Sequence, residues 1–142
     1  KVLIKNKKVH ILSDDIYEHV KYDNFKFFTI AQISKLKNRT LTMNGVSKSY
    51  AMTGWRIGAV TGPEHIISKM ALLYETITSC TAPFVQYAAI EAMNNSNEQT
   101  YEMVSKYQAR RDLIVEGLNS SLCEQQFHLS LLGLYCLFLI YF

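Results

Sequence analysis

Lys48 and Arg56 are the residues through which this sequence could do chemistry, and both follow the turn-forming dipeptide Asn44-Gly45. A hairpin-like path from Lys48 to Arg56 returns the chain beside itself and brings an amine and a guanidinium to two ends of one small anionic ligand. A phosphate with an aldehyde some bonds away suits the pair, because lysine forms an imine with a carbonyl and arginine offers a planar fork of donors to phosphate oxygens. Alone, the pair does not separate a ligand site from a solvated surface, where two such cations at this spacing are common.

Positioning these groups falls to three short β-prone runs. Val9-His10-Ile11-Leu12-Ser13 ends in the acidic pair Asp14-Asp15, Thr40-Leu41-Thr42-Met43 stops at Asn44-Gly45, and Trp55-Arg56-Ile57-Gly58-Ala59-Val60 runs into Thr61-Gly62-Pro63. After Gly62 the pattern becomes helical, with Pro63 suited to a first helical turn where its missing N–H costs little. Ile66, Ile67, Met70, Ala71 and Tyr74 share one helical face. A second helix is expected from Pro83 through Met93, leaving at Asn94-Asn95-Ser96-Asn97. A third runs from about Glu98 to Gly117, with Met103, Val104, Tyr107, Ile114 and Leu118 along one side. Strands followed by long helices predict an α/β fold.

Composition bounds the function classes. With 142 residues, 49% of them hydrophobic, one domain with a sizeable core is expected. The formal charge of +3 is spread over scattered lysines, which gives no footprint for nucleic acid. Cys80, Cys123 and Cys136 form no C-x-x-C pair and the histidines no H-x-x-x-H arrangement, so reduced thiols and no metal site are expected. The chain opens on Lys1 with no charged-apolar-small leader, which makes a cytoplasmic setting the default. The apolar stretch Leu129 to Phe142 is short of the roughly 17 to 25 residues that span a bilayer, so it reads as a buried strand that has lost its continuation rather than a membrane anchor.

The full string Ser47-Lys48-Ser49-Tyr50-Ala51-Met52-Thr53-Gly54-Trp55-Arg56-Ile57-Gly58 resembles the S-K-x-x-x-M-T-G-W-R-I-G signature of class I, fold-type I aminotransferases of the aspartate aminotransferase family. Upstream, Ser13-Asp14-Asp15-Ile16-Tyr17-Glu18 is similar to the same family's S-D-D/E-I-Y segment, and the likeness continues to Arg110-Arg111-Asp112. The resemblance implies part of the large domain of a fold-type I pyridoxal-phosphate-dependent transferase, a mixed, mostly parallel sheet flanked by helices and incomplete at both ends. It implies that Lys48 holds pyridoxal 5'-phosphate as a Schiff base and shuttles a proton. Asp14 is implied to pair with the pyridine nitrogen, Tyr17 to donate to the ring oxygen, and Arg56, helped by Ser47, to hold the phosphate. Structural readings stay open beside these: Asp14 as a turn cap, Tyr17 as a half-buried aromatic, Ser47 as a shaper of the turn. Ser79 stands where the family carries a Ser-Asn-Pro segment that reaches the neighbouring subunit's site, although Cys80 and Thr81 depart from that pattern.

By the same resemblance residues 1–120 form a partial cofactor-binding domain with its following helices, and residues 121–142 a degraded or truncated start of the small domain. Leu132-Gly133-Leu134-Tyr135 is only faintly similar to the family's G-A-F-Y strand, as a shifted reading frame or a decaying gene would leave it. The family's glycine-containing phosphate loop, ring-stacking aromatic and asparagine lie upstream, and its carboxylate-gripping arginine downstream. Two functions are therefore expected in competition. One is a segment of a homodimeric transaminase acting on an L-amino acid and a 2-oxo acid, with no nucleic-acid or membrane partner. The other is a truncated, catalytically inert product.

Overall fold

A computed structural model of the protein describes residues 2–121, so the division expected at 121–142 falls, apart from Ser121, outside the described residues. Three strands form one mixed sheet in the order β1-β2-β3: β1 (Ile11–Asp14), β2 (Thr40–Gly45) and β3 (Gly58–Thr61). β1 pairs parallel with β2, and β2 antiparallel with β3. Around the sheet stand α1 (Val2–Lys5), α2 (Ser34–Lys37), α3 (Val46–Ser49), α4 (Glu64–Thr78), α5 (Pro83–Asn95) and α6 (Asn97–Ser121). The α/β class expected from the order of β-prone and helical patterns is the one observed. Among the described residues no helix is long and apolar enough to cross a membrane.

The strands keep the expected order but shift their ends. β1 starts at Ile11 rather than Val9, because the carbonyl of Val9 is taken by Arg39, whose Nη1 donates to it at 2.7 Å and to the carbonyl of Asn6 at 2.5 Å. β2 does not turn at Asn44-Gly45. Both residues stay in the ladder, opposite Ala59 and Gly58, with Asn44 Nδ2 donating to Glu18 Oε1 at 2.7 Å. β3, expected from Trp55, begins at Gly58, since Thr53–Trp55 closes a 3-10 turn and Arg56 takes a left-handed conformation at φ 52.

Gly45 sits where β2 and β3 leave little room for a side chain. A β-carbon on it would stand 3.1 Å from the carbonyl oxygen of Ile57 and 3.3 Å from Cα of Gly58, both backbone atoms that cannot rotate aside. Gly45→Ala is expected to push β3 outward and lower stability by about 1 kcal/mol, at the lower end for overpacking, which a urea midpoint would register.

The core is small and sits where the sheet meets α2, α3 and α5: Ile11, Leu36, Val46 and Ala89 are buried, with Thr40 and Ser49 the least exposed among the described residues. Thr40 satisfies its hydroxyl on the carbonyl of Leu36 at 2.9 Å. Pro63 lies just outside α4, at the N-cap, rather than in its first turn, whereas Pro83 opens α5 as expected. On α4, Ile66 and Ile67 are half-buried, but Met70, Ala71 and Tyr74 of the same expected face are exposed. Periodicity had identified an apolar face and not what lies against it.

α6 is fixed at a distance by Arg111, a buried residue. Its guanidinium forks onto both carboxylate oxygens of Asp23, with Nη2 at 2.9 Å from Oδ1, while Nε donates to Asp112 at 2.8 Å. The same group lies over the Tyr22 ring, 4.9 Å from its centroid. The hydrogen bond from Arg111 holds the Asp23 carboxyl below its ordinary value, and Asp23 in turn raises Arg111.

Candidate active site

α3 has only four residues, too few to be stable by its own hydrogen bonds, and it is shaped by which side chains it buries. Val46 and Ser49, three apart and therefore on one side of the turn, are 3% and 1% exposed. That leaves Ser47 half-buried and Lys48 exposed on the remaining surface. Ser49 ties the helix to the loop after β1 by donating from Oγ to the carbonyl of Ile16 at 3.4 Å. The next residue in that loop is Tyr17, and Nζ of Lys48 stands 5.8 Å from the centroid of its ring. Lys48, Ser47 and Tyr17 share a cleft of about 390 Å³ whose other walls are Val20, Ala51, Thr53 and Tyr107.

The sheet brings two further groups to the same end of the fold. Parallel pairing sets Asp14 opposite Met43, so β1 and β2 finish on one edge, and β3, antiparallel, starts on that edge with Gly58 opposite Gly45. Asp14, Lys48 and Arg56 therefore sit at or just beyond the carboxyl end of the parallel pair, the position at which open α/β sheets bind ligands. Asp14 and Arg56 do not line the Lys48 cleft itself. Asp14 is exposed, and its Oδ1 accepts from the backbone N–H of Ile16 at 3.3 Å, the turn-capping bond of the structural alternative. Its neighbour Asp15 points the other way, is buried, and accepts from Ser13 Oγ at 2.7 Å. Arg56 is exposed with Nη1 donating to the carbonyl of Thr53 at 3.0 Å.

Ser79 is not among the residues of this cleft. It ends α4 at φ 67 and ψ −74, in a tight turn closed by the N–H of Cys80 on the carbonyl of Thr78 at 3.0 Å, and it is exposed. A separate cavity of about 300 Å³ is lined by Val46, Tyr50, Ile57, Ala89 and Met93 together with Glu18, His19 and Asn44. Burial raises the Tyr50 hydroxyl above its ordinary value and nearby Glu18 adds to the effect. Lys48 takes no part in that cavity.

Tyr107 is the cleft residue that the motifs do not reveal. Its spacing with Met103 and Val104 marks a helix face, and only the packing of α6 shows that this face turns its tyrosine to the lysine. Thr100, one element-end earlier on α6, donates from Oγ1 to the carbonyl of Ser49 at 3.2 Å, again with no trace in the local sequence.

An α/β sheet carrying a lysine, a carboxylate, a tyrosine and an arginine about one edge defines a class, and comparison with known proteins agrees: the chain belongs to the class I and II aminotransferase family, whose sequence profile matches residues 1–137. The aspartate aminotransferase of Rhizobium meliloti (strain 1021) is 49% identical over 120 residues, which are 84% of this chain and 29% of that protein. A probable aspartate/prephenate aminotransferase of Rhizobium leguminosarum bv. phaseoli is 46% identical over 121 residues, 84% of this chain and 30% of the relative. Among solved structures, the crystal structure of the aspartate aminotransferase from Rhizobium meliloti superposes with a TM-score of 0.80 over 84% of this chain and 30% of that one, at 49% identity. The aromatic aminotransferase from Pyrococcus horikoshii OT3 gives 0.79 at 36% identity, over 84% of this chain and 32% of its own. This chain thus spans 29% and 30% of the length of the two curated relatives.

Proposed function

We propose that this chain is the cofactor-holding segment of a pyridoxal-phosphate-dependent aminotransferase that moves an amino group from an L-amino acid to a 2-oxo acid. The observation that carries the proposal is the grouping of the Lys48 amine with Tyr17 and Ser47 in one cleft at the carboxyl edge of the sheet. The donor set fits the group: an amine for its aldehyde, a carboxylate for its ring nitrogen, a phenol for its ring oxygen, and a guanidinium with a serine hydroxyl for its phosphate. Lys48, Asp14, Tyr17, Arg56 and Ser47 would take those parts in that order. When bound, pyridoxal phosphate supplies a carbonyl that condenses with amines and a ring that accepts the electrons left by a departing proton.

The residues contribute binding, charge and proton movement. Lys48 Nζ, once free, takes the proton from the substrate's α-carbon and returns it on the other side of the transfer, a role that suits a flexible amine held beside a cleft. Asp14, an exposed carboxylate at a strand end, would supply negative charge for the ring nitrogen, and Arg56 positive charge for the phosphate. Ser79, exposed at the end of α4, would reach a neighbouring subunit in a homodimer with shared sites. Aspartate is the amino donor to test first, since the relatives are named for it.

A second reading has a specific observation behind it: the isolated chain binds cofactor without turning over substrate. Leu72, Leu73 and Ile77 on α4 and Phe84 and Tyr87 on α5 are 60–72% exposed, so these helices lack the cover that a rigid catalytic domain needs. One experiment addresses both. The purified chain is incubated with pyridoxal phosphate, its absorption spectrum is recorded, and aspartate with a 2-oxo acid is then added. A cofactor band that vanishes in Lys48→Ala, followed by product, supports the first reading. The band without product supports the second, and a folded chain with no band removes the claim that this segment holds the cofactor by itself.

A further inference from the structure

We propose that Thr100 is a positioning residue for Lys48, acting through the carbonyl of Ser49. The inference rests on the reading of Lys48 given above and extends it to a residue 51 positions beyond Ser49. The last carbonyls of any helix lack intrahelical partners, and in a helix of four residues this concerns every carbonyl it has. Three of the four find partners outside α3. The carbonyl of Val46 accepts from the N–H groups of Tyr50 at 3.2 Å and Met52 at 3.4 Å, and that of Lys48 accepts from Ala51 at 3.5 Å. Ser49 is 1% exposed, so water does not serve its carbonyl; Thr100 does, across 3.2 Å. Thr100 is itself buried at 9% exposure, and its hydroxyl has this one acceptor among the described residues.

The bond lies at the C-terminus of the turn that carries Lys48. Through Ser49 Oγ on the carbonyl of Ile16, the same residue reaches the loop carrying Tyr17. Seven residues beyond Thr100, and so on the same side of α6, Tyr107 lines the lysine cleft. One helix face thus caps the lysine turn and walls the space into which the amine reaches. Losing the hydroxyl leaves a buried carbonyl unpaired, which α3 can relieve only by moving, and Lys48 moves with it.

The test uses the full 142-residue chain as wild type, Thr100→Val, which keeps the shape and removes the donor, and Thr100→Ser, which restores it. Each is incubated with pyridoxal phosphate, fixed with borohydride and mapped by mass spectrometry. In parallel each is treated with acetic anhydride, and acetylation of Lys48 is measured relative to Lys69 on α4. Valine is expected to lower cofactor fixed at Lys48 about ten-fold, the scale of one buried hydrogen bond, with serine returning it to near wild type. Equal fixation in wild type and valine overturns the positioning role and leaves the cofactor reading intact. If wild type fixes none at Lys48, the cofactor reading falls and the acetylation ratio decides. A ratio that changes several-fold in valine and recovers in serine upholds the positioning of the amine, and a constant ratio overturns it. Should valine unfold, as circular dichroism would show, Thr100→Ala against Thr100→Ser makes the same comparison.

Discussion

Lys48→Ala abolishes borohydride fixation of pyridoxal phosphate at position 48 and leaves the background labelling of the other lysines unchanged. The expectation follows from the cleft: Lys48 is the lysine among its lining residues, and its Nζ is already stationed beside the Tyr17 ring. Lys48→Arg sharpens the result. Arginine keeps the positive charge and can lie over the same ring, but its guanidinium does not form a stable imine. The arginine variant is expected to hold cofactor reversibly while giving no fixed product, so charge and covalent capture are separated in one comparison. In a whole aminotransferase containing this segment, either variant removes the group proposed above to carry the α-proton. Positioned proton transfer contributes about 10²–10⁴-fold, so turnover is expected to fall by at least about a hundred-fold. A whole enzyme with Lys48→Ala that turns over within a few-fold of wild type would remove Lys48 from the reaction.

Arg111→Ala is expected to release α6 and to lower the urea midpoint, because it removes two charge-assisted hydrogen bonds to Asp23 and the contact with the Tyr22 ring. The same clamp makes docking of α6 sensitive to acid. Asp23 has its folded pKa lowered by Arg111, so its contribution is fully present above the ordinary carboxylate range. It declines as pH falls through that range and is lost once pH passes below the depressed folded value. Amide exchange across residues 104–115 should therefore accelerate as pH falls below about 5, after correction for intrinsic rates, and this pH dependence should be absent in Arg111→Ala. Glu102, lowered by its exposed partner Lys106, shifts in the same direction, but both groups are well solvated and a surface pair of this kind adds little. Lys106→Ala is the control, and an acid response that it abolished would place the sensitivity on the wrong pair.

Much of the site was legible before any fold was known. The string from Ser47 to Gly58 and the segment from Ser13 to Glu18 carry their chemistry in residue type and order, and the three strands that hold them appear where β-prone runs stand. α3 was not legible: four residues contain barely one helical turn, and a hairpin-like path describes the same stretch equally well until Val46 and Ser49 are seen to be buried. The resemblance nominated Asp14 over Asp15, but which of the two is exposed was not legible. Asp14 ends β1 and Asp15 follows it, and which of the two is buried depends on what packs against the end of the sheet.

The sequence by itself determined the α/β order and the family, and it nominated the candidate amine and the charges that accompany it, because these depend on residue identity and on short-range spacing. Tertiary structure alone decided that Tyr17, Ser47, Lys48 and Tyr107 share one cleft, that Thr100 serves the carbonyl of Ser49, and that Arg111 holds Asp23. Those contacts join residues 51 and 88 positions apart in the case of Thr100 and Arg111. Hydrogen bonding at such separation is set by where the sheet and the long helix come to rest against each other, a balance of burial over many residues that no local pattern records.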